Sequence, residues 1–169
     1  MNKDLNQDTE VVGYSDRAMY YEVEYDEDVD HNFYQTLIND GVDNVLEIPC
    51  GVGRNTLVLA KSGKSITAAD LEPCMVNRLK QRLHERGITN VDACVADMCS
   101  IDLDKTFDLI FSPREAFQLI STQADAVQAL FSMKEHLSTT GSLIIDLSLF
   151  AQDDSDDPAV YPDYFHPDQ

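Results

Sequence analysis

The sequence predicts an α/β fold, a doubly wound and mainly parallel sheet with helices on both faces. Three observations predict it. Short apolar runs suited to buried strands alternate with longer runs of helical periodicity. A glycine turn, Gly51-Val52-Gly53, joins the first of those strands to a helix. The next two strands end in carboxylates, Asp70 and Asp97.

The elements are taken in chain order. Residues 1–12 are polar and read as a mobile N-terminus, while 13–150 read as one domain. Tyr14, Tyr20 and Tyr21 lie too close together for a linker and call for burial or a ligand. A helix is expected over 29–39, with Phe33, Leu37 and Ile38 on one face and Gly41 beyond its end. Residues 45–48 form a buried strand, and 55–62 a helix whose first N–H groups face the glycine turn. Strand 65–69 comes next, then helix 73–86, which has Pro73 at its start, Met75, Val76, Leu79 and Leu83 at helical spacing, and Gly87 as its stop. Strands 91–95 and 107–111, helix 123–137, a turn over 137–141 and strand 142–147 complete five readable strands.

The strand ends carry the chemistry. Asp70 stands seventeen residues after Gly53, near the spacing at which a carboxylate meets a ribose hydroxyl pair in a nucleotide-binding βαβ unit. Asp97 can accept from an exocyclic amine, and the Met98 thioether can lie on a flat ring. A nicotinamide dehydrogenase is disfavoured, because its fingerprint needs a third small residue where this chain has Thr56. Glu47, two residues before Pro49, also suits a cationic ligand better than a pyrophosphate.

In combination, Glu47-x-Pro49-x-Gly51-x-Gly53, the run from Asp70 and Leu71 to Met75, and Ala96-Asp97-Met98 resemble the class I S-adenosylmethionine-dependent methyltransferases of small-molecule type. The chain departs from that pattern at Pro49, where the family carries Gly or Ala, so the turn forms with one N–H fewer. The resemblance implies a Rossmann-like sheet that binds S-adenosylmethionine and releases S-adenosylhomocysteine. It places Glu47, Pro49, Gly51, Gly53, Asp70, Leu71, Met75, Asp97, Met98 and Ser112 around the cofactor, with Tyr14 and Tyr20 as a lid reaching the sulfonium by cation–π contact. It also turns Arg114, Glu115, Phe117 and Gln118 toward a small-molecule acceptor. Glu115 is the general base, if the acceptor needs one, and Arg114 could pair with a substrate carboxylate.

Composition narrows the classes. At 169 residues and 43% hydrophobic, the chain can bury one core. A formal net charge of −19 repels phosphate backbones and anionic membranes, so nucleic-acid and membrane partners are not expected. No apolar run nears the ~20 residues that cross a bilayer, and a cytoplasmic location is expected. Cys50, Cys74, Cys94 and Cys99 form no Cys-x-x-Cys pair and have no histidine at metal spacing, so reduced thiols and no metal are expected.

Residues 151–169 are an acidic, proline-containing tail that supplies no β-hairpin of normal length, although the resembled family ends its sheet with one. The fifth strand would then be exposed. Three readings stand: a shortened chain of a longer enzyme, which is preferred, a sheet completed by a partner chain or second copy, or a tail covering the edge. For function, methyl transfer stands against a lyase or cyclase using the same cofactor and against a catalytically silent cofactor-binding subunit.

Overall fold

A computed structural model describes residues 30–148. The elements run α1 (His31–Leu37), β1 (Asn44–Glu47), α2 (Arg54–Leu59), β2 (Ser65–Asp70), α3 (Pro73–Glu85), β3 (Val91–Val95), β4 (Phe107–Ser112), α4 (Gln123–Glu135) and β5 (Leu137–Ile145). The sheet order is β3-β2-β1-β4-β5 and every neighbouring pair is parallel. The chain winds outward from β1 to β3, then returns to place β4 on the other side of β1. The carboxyl ends of β1 and β4 therefore meet at the switch point where open α/β sheets hold ligands.

Strand alternation divides the core between the two faces. Val45, Ile66, Leu109 and Phe111 pack with Tyr34 of α1 and Leu59 of α2. Ala68 and Ala93 continue that face under Val76, Leu79 and Leu83 of α3. Leu46, Ile48, Ala69 and Ile110 form the opposite face, against Ala129 and Met133 of α4. Thr122 caps α4 by accepting from the Asp125 N–H at 3.1 Å while its hydroxyl donates to the Asp125 carboxylate at 2.7 Å.

The structure moves several expected boundaries. Within the described residues the first helix is confined to His31–Leu37, and Ile38 rather than Gly41 is its exit. The second begins at Arg54 and tightens into a 3₁₀ turn over Ala60–Ser62. The largest correction concerns 137–141, expected as a turn and observed as the start of β5. Leu137 pairs with Phe107 and Ser142 with Leu109, so two steps along β4 face five along β5, a wide bulge. Gly141 closes it against the Phe107 carbonyl, which would stand 2.6 Å from any Cβ there. Helix 123–137 accordingly stops at Glu135. Among the described residues no helix is long and apolar enough to cross a membrane.

Candidate functional site

The glycine turn is built from both sides. Ile48 donates to the Phe111 carbonyl of β4, and Cys50 donates to the Ala69 carbonyl of β2, at 3.0 and 2.8 Å. The Ile48–Pro49 bond is cis. Gly51 and Gly53 both have positive φ, of 53° and 87°. A Cβ on Gly53 would stand 2.3 Å from Leu79 Cδ1 of α3, so the residue answers to close helix packing as well as to backbone geometry. Arg82 of α3 donates to the Val52 carbonyl at 2.8 Å and fixes the tip of the turn.

Asp70 locks this turn to β2. Its Oδ2 accepts the Gly51 N–H at 2.7 Å and its Oδ1 the Glu72 N–H at 2.9 Å. Burial pushes the carboxyl above its ordinary range and those two N–H donors pull against the rise. The Leu71 N–H also favours its charged form, and a carboxylate has about four acceptor positions. Beside it Leu71 is 60% exposed, and Val95 at the end of β3 is 53% exposed, giving two apolar surfaces at the tips of adjacent strands. Asp97 comes next, with Oδ1 accepting the Cys99 N–H at 2.8 Å, and Met98 is half-buried against the core. Met75 is instead buried, packed with Val52 under the turn.

Glu47 ends β1 and is 1% exposed. Its Oε2 accepts a short hydrogen bond from the Thr56 hydroxyl, and Thr56 is fully buried at the point where α2 packs on the strand. Burial pushes the Glu47 carboxyl up to about 8, against the opposing pull of Thr56 and Arg54. The Arg54 guanidinium grips both oxygens of Asp30 at the start of α1. Burial raises the Asp30 carboxyl, but the Arg54 contacts outweigh it and leave the group below its usual range. Asn55 gives its amide N–H to the same carboxylate at 3.4 Å, while its buried Oδ1 has no donor among the described residues. The Asp30–Arg54 pair and the Thr56 bond escaped sequence reading. The first joins residues 24 apart, and the only signal for the second was the misfit of Thr56 with a dinucleotide fingerprint.

Beyond β4 the chain makes a tight turn. Ser112 is fully buried and its hydroxyl has no partner among the described residues. Arg114 and Glu115 both adopt the left-handed region, at φ 55° and 52°, each costing about 1–2 kcal/mol. The segment after β5 holds them there. The Arg114 N–H donates to Asp146 Oδ2 at 3.1 Å, and the Ser148 hydroxyl donates to Glu115 Oε1 at 2.6 Å. Gln118 exchanges two hydrogen bonds with the Ser148 backbone, at 3.2 and 2.8 Å. Phe117 leans on the core. Of the anticipated residues, Glu47, Pro49, Gly51, Gly53 and Asp70 share one turn, Leu71, Asp97 and Met98 lie on the adjoining strand tips, and Ser112 to Gln118 occupy the edge beyond β4. Tyr14 and Tyr20 lie outside the described residues, as do residues 1–12 and the tail. All four cysteines are free thiols.

Comparison with known proteins identifies the fold and the family. Residues 45–141 match the methyltransferase domain family. The chain is 28% identical over 102 residues to the cypemycin N-terminal methyltransferase of a Streptomyces species, covering 60% of this chain and 40% of that one. It is 34% identical over 70 residues to a probable ribosomal RNA small subunit methyltransferase A of Methanosphaera stadtmanae, covering 41% and 26%. It thus spans less than half the length of these curated relatives. A crystal structure of an S-adenosylmethionine-dependent methyltransferase from Clostridium acetobutylicum superposes with a TM-score of 0.66 at 23% identity, over 79% of this chain and 57% of that chain. From β1 to the bulge of β5, this chain belongs to the methyltransferase domain family.

Proposed function

We propose that the chain is the cofactor-binding portion of an S-adenosylmethionine-dependent methyltransferase acting on a small-molecule acceptor. The observation that carries this reading is Asp70, a mostly buried carboxylate at the end of β2 aimed by the Gly51 and Glu72 N–H groups, with exposed Leu71 beside it. That combination fits a ribose hydroxyl pair next to a flat apolar base. Glu47, Pro49, Gly51 and Gly53 frame the methionine end, Leu71, Asp97 and Met98 the adenine, and Ser112 the border with the acceptor. Met75 supports the turn from the core side. Tyr14 and Tyr20 remain proposed lid residues.

When bound, S-adenosylmethionine supplies a methyl group already activated on a sulfonium. The chain's own task is then positioning and exclusion of water. Arg114, Glu115, Phe117 and Gln118 orient the acceptor, and Glu115 takes a proton where the acceptor must lose one. The small-molecule reading draws support from the net charge of −19, which opposes a phosphate backbone, and from the name of the cypemycin-methylating relative. The ribosomal RNA relative pulls the other way.

Two measurements test the proposal. Calorimetric titration should show S-adenosylmethionine and S-adenosylhomocysteine binding and NADH not binding. Turnover assays should then yield S-adenosylhomocysteine with small amine or hydroxyl acceptors and none with ribosomal RNA. Turnover on RNA alone would refute the small-molecule assignment, and binding of NADH in place of both nucleosides would refute the cofactor.

A further inference from the structure

Helix α3 concentrates positive charge in an acidic chain. The helix and its C-cap carry Arg78, Lys80, Arg82 and Arg86, four of the twelve lysines and arginines of the whole sequence. Arg78 and Arg82 stand four residues apart and therefore share one face of the helix. Both are half-buried, and that face meets the glycine turn, where Arg82 gives an N–H to the Val52 carbonyl at 2.8 Å. Arg78 gives an N–H to Gln81 Oε1 at 3.0 Å, and the carboxylate of this stretch, Glu85, takes the Gln81 amide at 2.8 Å. The complement of this face stands in the same chain. Residues 22–30 hold Glu22, Glu24, Asp26, Glu27, Asp28 and Asp30 and no basic residue. The last of the six is docked on an arginine: Asp30 receives both arms of the Arg54 fork, and the Asn55 amide, at the first turn of α2. Arg54 lies two Cα steps of about 3.8 Å past Val52, whose carbonyl Arg82 holds. Seven residues, 22–28, reach up to about 25 Å from that anchor. A contact already in place thus delivers the acidic run to the edge of the arginine face.

We propose that residues 22–28 dock as an acidic strap on the Arg78–Arg82 face of α3 and pin the N-terminal stretch beside the glycine turn. Charge, reach and tethering together select this occupant. Guanidinium forks hold carboxylates through paired N–H bonds, which a lysine face would not offer. The tether at Asp30 keeps the run at an effective concentration of about millimolar, far above that of a free acidic peptide. A polyanion from elsewhere, such as RNA, meets a chain with a net charge of −19 and has no such tether. Each solvent-facing pair is weak by itself, so the strap holds through several pairs at once and yields to salt. No ligand takes part, and the proposal stands apart from the cofactor reading.

The experiment is limited chymotrypsin digestion of the full chain without ligand, read by mass spectrometry at the Tyr25–Asp26 bond inside the strap. Each rate is divided by that of a free peptide of matching sequence over residues 19–31 in the same buffer, which removes the effect of salt on the protease. The proposal expects the bond to be protected at about 0.01 M salt and the protection to fall roughly tenfold toward about 1 M, as the screening length shrinks from about 30 to about 3 Å. Arg78→Glu with Arg82→Glu removes the protection at low salt, and adding Glu22→Lys and Asp28→Lys restores it. Arg78→Glu alone leaves the Arg82 contact with Val52 in place and gives a smaller loss. That variant and the wild-type salt series decide the matter even where the double variant does not fold. Equal cleavage of chain and peptide at low salt, or protection unmoved by salt and by Arg78→Glu, overturns the proposal. Protection that weakens on dilution of the protein gives the face to a second copy and overturns it too. So does an RNA oligonucleotide that binds the wild type but not Arg78→Glu, with the Tyr25–Asp26 bond open in both.

Discussion

On the β3-β2-β1 side of the sheet, polar groups find their partners within the strand–turn–helix units that build it: Asp70 takes the N–H of Glu72 and of Gly51 in the turn it faces, Arg82 of α3 holds the Val52 carbonyl, and Asp97 takes the N–H of Cys99. On the β4-β5 side, the corresponding turn borrows its partners from a segment about thirty residues further on. Arg114, Glu115 and Gln118 reach Asp146 and Ser148 to hold two left-handed residues in place. The same side leaves Leu119, Phe131 and Leu147 more than half exposed and no residue of β5 fully buried. One half carries its own scaffold. The other takes its shape from the residues just beyond β5.

The sharpest way to break this contrast is at Gly53. Gly53→Ala adds a Cβ 2.3 Å from Leu79 Cδ1 at a φ of 87°. Left-handed strain and overpacking together should cost about 3 kcal/mol in denaturant unfolding. A loss below about 1 kcal/mol would mean that α3 does not press on the turn. Next comes Asp70→Ala, which strands the Gly51 and Glu72 N–H groups and removes the ribose acceptor. It should lower cofactor affinity by about 2 kcal/mol, or roughly 30-fold in calorimetry. Unchanged affinity would separate Asp70 from the ligand.

Much of the first half was legible because its residue types recur at a fixed spacing. Gly51, Gly53, the proline start of α3 and the carboxylate at the end of β2 follow the strand–turn–helix–strand order, although the contacts of Gly53 with Leu79 and of Asp70 with Gly51 emerge only in the fold. The 137–141 bulge was not legible. Ser138-Thr139-Thr140-Gly141 has the composition of a turn, and only the approach of Gly141 to the Phe107 carbonyl, 34 residues away, makes it strand. The two left-handed residues at 114 and 115 were equally hidden, since neither is glycine and their support lies beyond β5. Glu47 stood out in the sequence as a carboxylate just before the turn, but its enclosure and its bond to Thr56 emerge only from packing.

Smaller effects sharpen the comparison. Asp30→Asn should release the Arg54 fork and cost about 1.5 kcal/mol, because both side chains are only 15% exposed and the bonds are charge-assisted. In the second half, Gln118→Ala removes two exposed hydrogen bonds to the Ser148 backbone and should shift stability by about 0.5 kcal/mol. A thermal scan in which Gln118→Ala costs more than Asp30→Asn would reverse the ranking of the two halves.

The most direct test is a crystal structure of the protein with S-adenosylhomocysteine. The account predicts the ribose hydroxyls on the Asp70 carboxylate, with the adenine against Leu71. A nucleoside bound elsewhere, with Asp70 touching only Gly51 and Glu72, would contradict it.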